Sequence, residues 1–89
     1  MKLKENEVTI NEQEFTIREL SIGVMMPILP KLQEGGENAM LAQFDLLKAC
    51  VFVDGKSIGD DVLNIGVATY MQLAEEVLDI NGVKLEGKD

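Results

Sequence analysis

Histidine and tryptophan are absent from this 89-residue chain, and cysteine and tyrosine occur once each. Without histidine the chain lacks the commonest general base and metal-binding side chain. One cysteine, Cys50, supplies neither the ligand set of a usual zinc site nor an internal disulfide. Adjacent carboxylates such as Asp60 and Asp61 diverge by about 100° on a helix and do not share a site. We therefore expect no enzyme, no metal site and no cofactor.

Long apolar runs are also missing, because charges or glycines interrupt every stretch before the roughly 18 residues of a membrane helix. The N-terminus, MKLKENEV, turns acidic where a secretory signal peptide would be apolar. Hydrophobic residues are 46% of the chain, which is too many for a disordered tail. We expect one cytoplasmic domain over residues 1–89, frayed at 1–6 and 83–89, that contacts no membrane.

Basic residues are few: acidic residues outnumber them 16 to 8, and the net charge is −8. Such a surface repels phosphate backbones, so we expect no direct binding to nucleic acid. The same charge keeps a partly apolar protein in solution.

The N-terminal segment alternates apolar and polar residues, which is the period of a β-strand. Val8 and Ile10 precede a polar turn at residues 11–13, and Phe15 and Ile17 follow it. The asparagine that opens this turn tolerates a left-handed backbone. Because an isolated hairpin is marginal in water, we expect a helix to cover its apolar face.

Two prolines interrupt the first helical segment, residues 22–32, for which Ser21 is a candidate cap. Pro27 and Pro30 each remove a backbone donor and crowd the preceding turn. The pattern predicts a short helix that is kinked or ends near Met26, followed by an irregular turn.

Two further helices follow the break at Gly35-Gly36. Residues 37–53 read as one long helix whose apolar residues cover nearly its whole surface. Residues 56–61 read as a loop, with a single helical turn after it. Residues 65–80 read as a final helix with one apolar stripe and one acidic face.

These elements predict an α+β fold that is mostly α, with an N-terminal β-hairpin packed on a small bundle of about three helices. One interpretation is that the hairpin and the helices cover one another completely. A chain of this size, however, has few helices and strands with which to cover all of its apolar helix surface. We therefore expect apolar helix surface to remain available to another molecule.

Ser57 suggests a different activity. A serine after a glycine in a small acidic helical chain loosely resembles the attachment site of acyl carrier proteins, which hold a phosphopantetheine arm. The residue before the serine is Lys56, where carriers have aspartate, and the next helix start is displaced. Short partial motifs recur by chance, so an acyl-carrier-like protein is the weakest of the interpretations.

Two stretches carry a stronger similarity: FTIRELSIG at residues 15–23 and VLNIGVATYMQLAEEVLDING at residues 62–82. With the Met- and Leu-rich helix between them, they resemble the tail assembly chaperones of tailed bacteriophages, and most of all those of Mu-like phages with contractile tails. The similarity runs from about Val8 to Gly82. It consists of patterns of residue type rather than a catalytic signature.

The resemblance implies a mostly helical, oligomerising protein that binds the tape measure protein and recruits the tail tube protein. It also implies action in the bacterial host cytoplasm, absence from the mature virion and a longer form made by ribosomal frameshifting, of which this chain would be the short form.

A tape measure protein exposes apolar helices, and a groove that accepts amphipathic helices is a common way to bind them. Methionines would make such a groove adaptable, although core filling is the alternative interpretation for each of them. The candidate partner-binding surface consists of Met25, Met26, Leu29, Leu41, Phe44 and Tyr70.

A small acidic regulatory adaptor or nucleic-acid-mimic inhibitor is the alternative from a different class. It would use the charge of −8 rather than the apolar surface. Binding that collapses as salt rises would favour this alternative.

Overall fold

Four antiparallel strands form a sheet in the order β1-β2-β3-β4, and helices cover it. The computed structural model of the chain describes residues 2–83. The strands are β1 Glu5–Ile10, β2 Gln13–Arg18, β3 Val51–Val53 and β4 Lys56–Ser57. The helices are α1 Ile22–Met25, α2 Leu29–Glu34, α3 Gly36–Cys50, a 3₁₀-helix Gly59–Leu63 and α4 Val67–Ile80. The predicted fold class, α+β and mostly α, is confirmed.

The predicted N-terminal hairpin is present, with a two-residue turn. Asn11 and Glu12 both have positive φ, 53° and 68°, which gives the turn a twist that matches the strands it joins. Val8 lies opposite Phe15, so both face the same side of the sheet. Helix α4 packs against β1 and β2, as expected for the cover of the apolar face.

A second hairpin replaces the end of the predicted long helix. Helix α3 ends at Cys50, and the next three residues form β3, which places Val51 opposite Ile17 of β2. The prediction that the helix continues to residue 53 is therefore wrong. Val-Phe-Val suits a pleated strand, and Asp54-Gly55 is a typical hairpin turn, with φ of 54° and 83°.

The proline segment forms two short helices. Helix α1 ends at Met25, which is one of the two predicted alternatives, but residues 29–34 form α2 instead of an irregular turn. Pro30 lies in the first turn of α2, where a missing N–H group costs little. Ser21 occupies the N-cap position of α1, although its side chain makes no capping hydrogen bond.

The ends of several helices and strands differ by a few residues from the predicted ends. The predicted single turn is part of the 3₁₀-helix, and α4 begins at Val67 after Gly66 rather than at residue 65. Residues 5 and 6, expected to fray, belong to β1, and the carbonyl of Lys4 accepts a hydrogen bond from Glu19 N–H at 2.9 Å. Of the C-terminal segment expected to fray, residues 84–89 lie outside the described residues.

The core lies between the inner face of the sheet, α3 and α4. Its largest fully buried side chains are Ile17, Leu46, Leu47, Leu73, Val51, Val62, Val77 and Cys50. No charged or polar residue is buried in the described part of the chain. Helix α3 thus buries one side and leaves the other exposed, which positions the surface described next.

Asn81 joins three elements at one end of this core. Its Oδ1 accepts a hydrogen bond from Leu20 N–H at 2.9 Å, and its Nδ2 donates to the Val77 carbonyl at 2.8 Å. The same Nδ2 lies 3.6 Å from Cys50 Sγ. The side chain therefore ties the end of α4 to α3 and to the segment that follows β2.

Candidate binding surface

Two of the six candidate residues, Phe44 and Tyr70, come together where α4 packs against α3. The ring of Phe44 meets the ring of Tyr70 edge to face, with centroids 5.6 Å apart and an interplanar angle of 74°. Tyr70 Oη donates a hydrogen bond to Gln43 Oε1 at 2.7 Å. Leu41 lies one helical turn from Phe44 and is 52% exposed. Two contacts thus fix the tyrosine ring, and burial raises its pKa above the usual value.

Further apolar side chains extend this surface on both helices. Met40 precedes Phe44 by one turn on α3, while Val67 precedes Tyr70 and Met71 by one turn on α4. The side chains of Met40, Val67 and Met71 are 60% to 76% exposed. We call the whole set the α3/α4 face: Met40, Leu41, Phe44, Val67, Tyr70 and Met71. Helical periodicity alone does not identify this face, because the apolar stripe of each helix contains both buried and exposed residues.

One candidate residue lies elsewhere than predicted. Met25 is only 5% exposed and packs in the core. The prediction that it contributes to an exposed partner-binding surface is therefore wrong. Met25 is the last residue of a four-residue helix. The side of so short a helix that faces the core depends on the direction of the chain before and after it.

The remaining candidates, Met26 and Leu29, lie beside α1. Met26 is 62% exposed and Leu29 is half-buried. Two residues of α1, Ile22 and Val24, are also exposed. We call these four residues the α1 surface. No charged residue occurs from Leu20 to Pro30, and Glu19 is the acidic residue that lines the same depression as Ile22 and Leu29.

Carboxylates dominate the charge of α3 and α4. The two helices carry five acidic residues: Glu37, Asp45, Glu75, Glu76 and Asp79. Their one basic residue is Lys48, whose Nζ lies 3.1 Å from Asp60 Oδ1. The α3/α4 face is therefore set in a negative environment.

Cys50 and Ser57 both make contacts near the end of α3. Cys50 is fully buried, and burial raises the pKa of its thiol to about 11 even though a hydrogen bond from Asn81 opposes the shift. A protonated buried thiol is a poor nucleophile. Ser57 Oγ donates to the Lys48 carbonyl at 2.7 Å and accepts from Gly59 N–H at 3.1 Å. Both groups thus hold the end of α3 in place.

A depression of about 550 Å³ lies between the first hairpin and the start of α4. Its floor is apolar, with Ile10, Phe15 and Ile58, and its rim includes Lys56 and Asp61. Among the residues described here, its rim side chains form no ion pair with one another. The cavity is thus an apolar depression with a lysine and an aspartate at its rim.

Two properties of the described residues 2–83 concern metal binding and membrane insertion. These residues contain no cluster of three or more metal-ligating side chains. None of their helices has both the length and the hydropathy needed to cross a bilayer. The chain as a whole matches no protein-family model, and no curated protein or solved structure is significantly similar to it.

Proposed function

We propose that this protein is a phage tail assembly chaperone that binds the tape measure protein, keeps it soluble and promotes tail tube assembly without catalysis. It would act in the bacterial host cytoplasm and be absent from the mature virion. The observation that carries the proposal is the α3/α4 face, an exposed apolar surface on two packed helices.

The α3/α4 face offers apolar side chains at helical spacing on two packed helices. The apolar stripe of a third helix could pack its side chains between them. At the centre of the face, the Phe44–Tyr70 pair supplies rigid aromatic contacts, which dominate binding energy at many interfaces. Around the pair, Met40 and Met71 can adjust to a repetitive and variable target.

Self-association is the second part of the proposal, and the α1 surface suits it. Ile22 and Met26 are 68% and 62% exposed, and residues 20–30 carry no charge. The α3/α4 face would then remain free for the tape measure protein. Tail tube subunits would displace the chaperone as the tube grows, and a frameshifted longer form would carry the same domain.

Co-expression with the tape measure protein tests this function. The double substitution Leu41→Asp/Met71→Asp places charge on two exposed positions, so the fold is expected to survive. We expect recovery of soluble complex to fall at least about tenfold, because charge is strongly disfavoured in an apolar interface.

The matched control is Leu63→Asp, since Leu63 is 60% exposed but lies on the 3₁₀-helix. It should leave recovery unchanged. Circular dichroism and thermal melting would verify that both variants fold. Equal recovery with the double variant and with the control would remove the α3/α4 face from the function.

An acidic adaptor or nucleic-acid mimic is the competing proposal, and the outer face of the sheet favours it. Glu7, Glu14 and Asp54 line one shallow depression there. A mimic would bind through these carboxylates, lose nearly all affinity at high salt and ignore Leu41→Asp/Met71→Asp. The substitution Glu7→Gln/Glu14→Gln should abolish that binding and leave chaperone activity intact.

A further inference from the structure

We propose that the α3/α4 face selects an amphipathic helix whose apolar stripe is flanked by lysine or arginine, and that it rejects acidic helices and a second copy of this chain. The inference rests on the proposed function for the role of the face. It adds the chemistry of the segment that binds there.

Three exposed carboxylates border the apolar residues of the face. On α3, Glu37 precedes Leu41 by four residues and Asp45 follows it by four, so all three share one side of the helix. On α4, Glu75 follows Met71 by four residues, which places it next along the same side. The border of the face is therefore acidic on both helices.

No free cation on α3 or α4 offsets this border. Lys48 is the single basic residue of the two helices, and Asp60 already neutralises it at 3.1 Å. A helix with basic flanks complements such a surface. Its lysine or arginine stems would lie along the apolar edge while their charges reach the carboxylates.

The same border argues against the other occupants. A second copy would bring its own Glu37, Asp45 and Glu75 against the first, and like charges across an interface oppose association. An acidic helix meets the same repulsion. Nucleic acid would place phosphates against carboxylates. A basic amphipathic helix is the occupant that satisfies both the apolar centre and the acidic border.

Two synthetic helical peptides test this selectivity. They share one apolar stripe at i, i+3, i+4 and i+7 spacing and differ only in flanks of lysine or of glutamate. Fluorescence anisotropy would measure their binding to the full chain at about 0.05 M and about 0.5 M NaCl. We expect the lysine peptide to bind about tenfold more tightly at low salt, with most of this difference lost at high salt.

A triple variant, Glu37→Gln/Asp45→Asn/Glu75→Gln, assigns the effect to the border. It should remove most of the preference for the lysine peptide. The matched control, Glu7→Gln/Glu12→Gln/Glu14→Gln, changes the net charge equally but on the first hairpin, and it should keep the preference. Equal behaviour of the two triple variants would mean that only net charge matters, which overturns the proposal.

Other outcomes separate this inference from the proposed function. If both peptides bind equally and Leu41→Asp/Met71→Asp abolishes binding, the face binds helices but the basic selectivity is refuted. If neither peptide binds at either salt, the face is not a helix-binding site and both proposals fall. If the lysine peptide binds selectively but co-expression yields no soluble tape measure protein, the selectivity stands and the chaperone function falls.

Discussion

Asn81 should be the most important polar side chain for the stability of this fold. Its amide accepts from Leu20 N–H and donates to the Val77 carbonyl, so Asn81→Ala removes two hydrogen bonds of 2.9 and 2.8 Å. Each contributes about 1 kcal/mol, and a stranded, partly buried Leu20 N–H adds a desolvation cost. We expect the free energy of unfolding to fall by about 2 to 3 kcal/mol.

Urea denaturation followed by circular dichroism measures this loss. With a slope of about 1 kcal/mol per M for a domain of this size, the midpoint should fall by about 2 to 3 M at unchanged slope. The matched control is Asn38→Ala. Asn38 Nδ2 also donates a hydrogen bond, to Glu34 Oε1 at 2.6 Å, but both groups are exposed. Alanine there favours the helix, so the control should change stability by less than about 0.5 kcal/mol. If Asn81→Ala changes stability as little as Asn38→Ala does, Asn81 does not hold α4 to the rest of the fold.

Two further predictions concern the core and the first turn. Because burial raises the pKa of Cys50 from 9.0 to about 11, the unfolded chain loses this proton first, and stability should fall as pH rises from about 9 to about 11, by on the order of 2 kcal/mol. Urea titrations at several pH values should show a smaller decline in the free energy of unfolding for Cys50→Ala than for the unsubstituted protein. An equal decline with pH in both proteins would show that Cys50 is not the group responsible. Glu12 adopts a φ of 68°, which suits glycine, so Glu12→Gly should raise the free energy of unfolding by about 0.5 to 1 kcal/mol. The control Glu14→Gly, inside β2, should instead lower the free energy of unfolding. If thermal melting shows no rise in melting temperature for Glu12→Gly, the backbone at this turn is not strained.

Local signals were sufficient for the elements whose pattern does not depend on distant partners. Alternation around Asn11 predicted the first hairpin, and the prolines predicted that the first helix would be kinked or end near Met26. The apolar stripe of residues 65–80 predicted α4 to within two residues at its start. These features follow from backbone sterics and from the spacing of apolar residues along one chain segment.

Tertiary structure decided the end of α3 and the two surfaces. Residues 51–53 are apolar in either a helix or a strand, and they form a strand because β2 pairs with them. Met25 is buried and Met26 exposed because the packing of α1 turns one of two similar side chains inward. The α3/α4 face likewise exists only because α4 packs against α3 and brings Tyr70 to Phe44. Sequence thus determined where apolar helix surface occurs, and only packing decided which part of it is left uncovered, since burial depends on contacts between segments far apart in the chain.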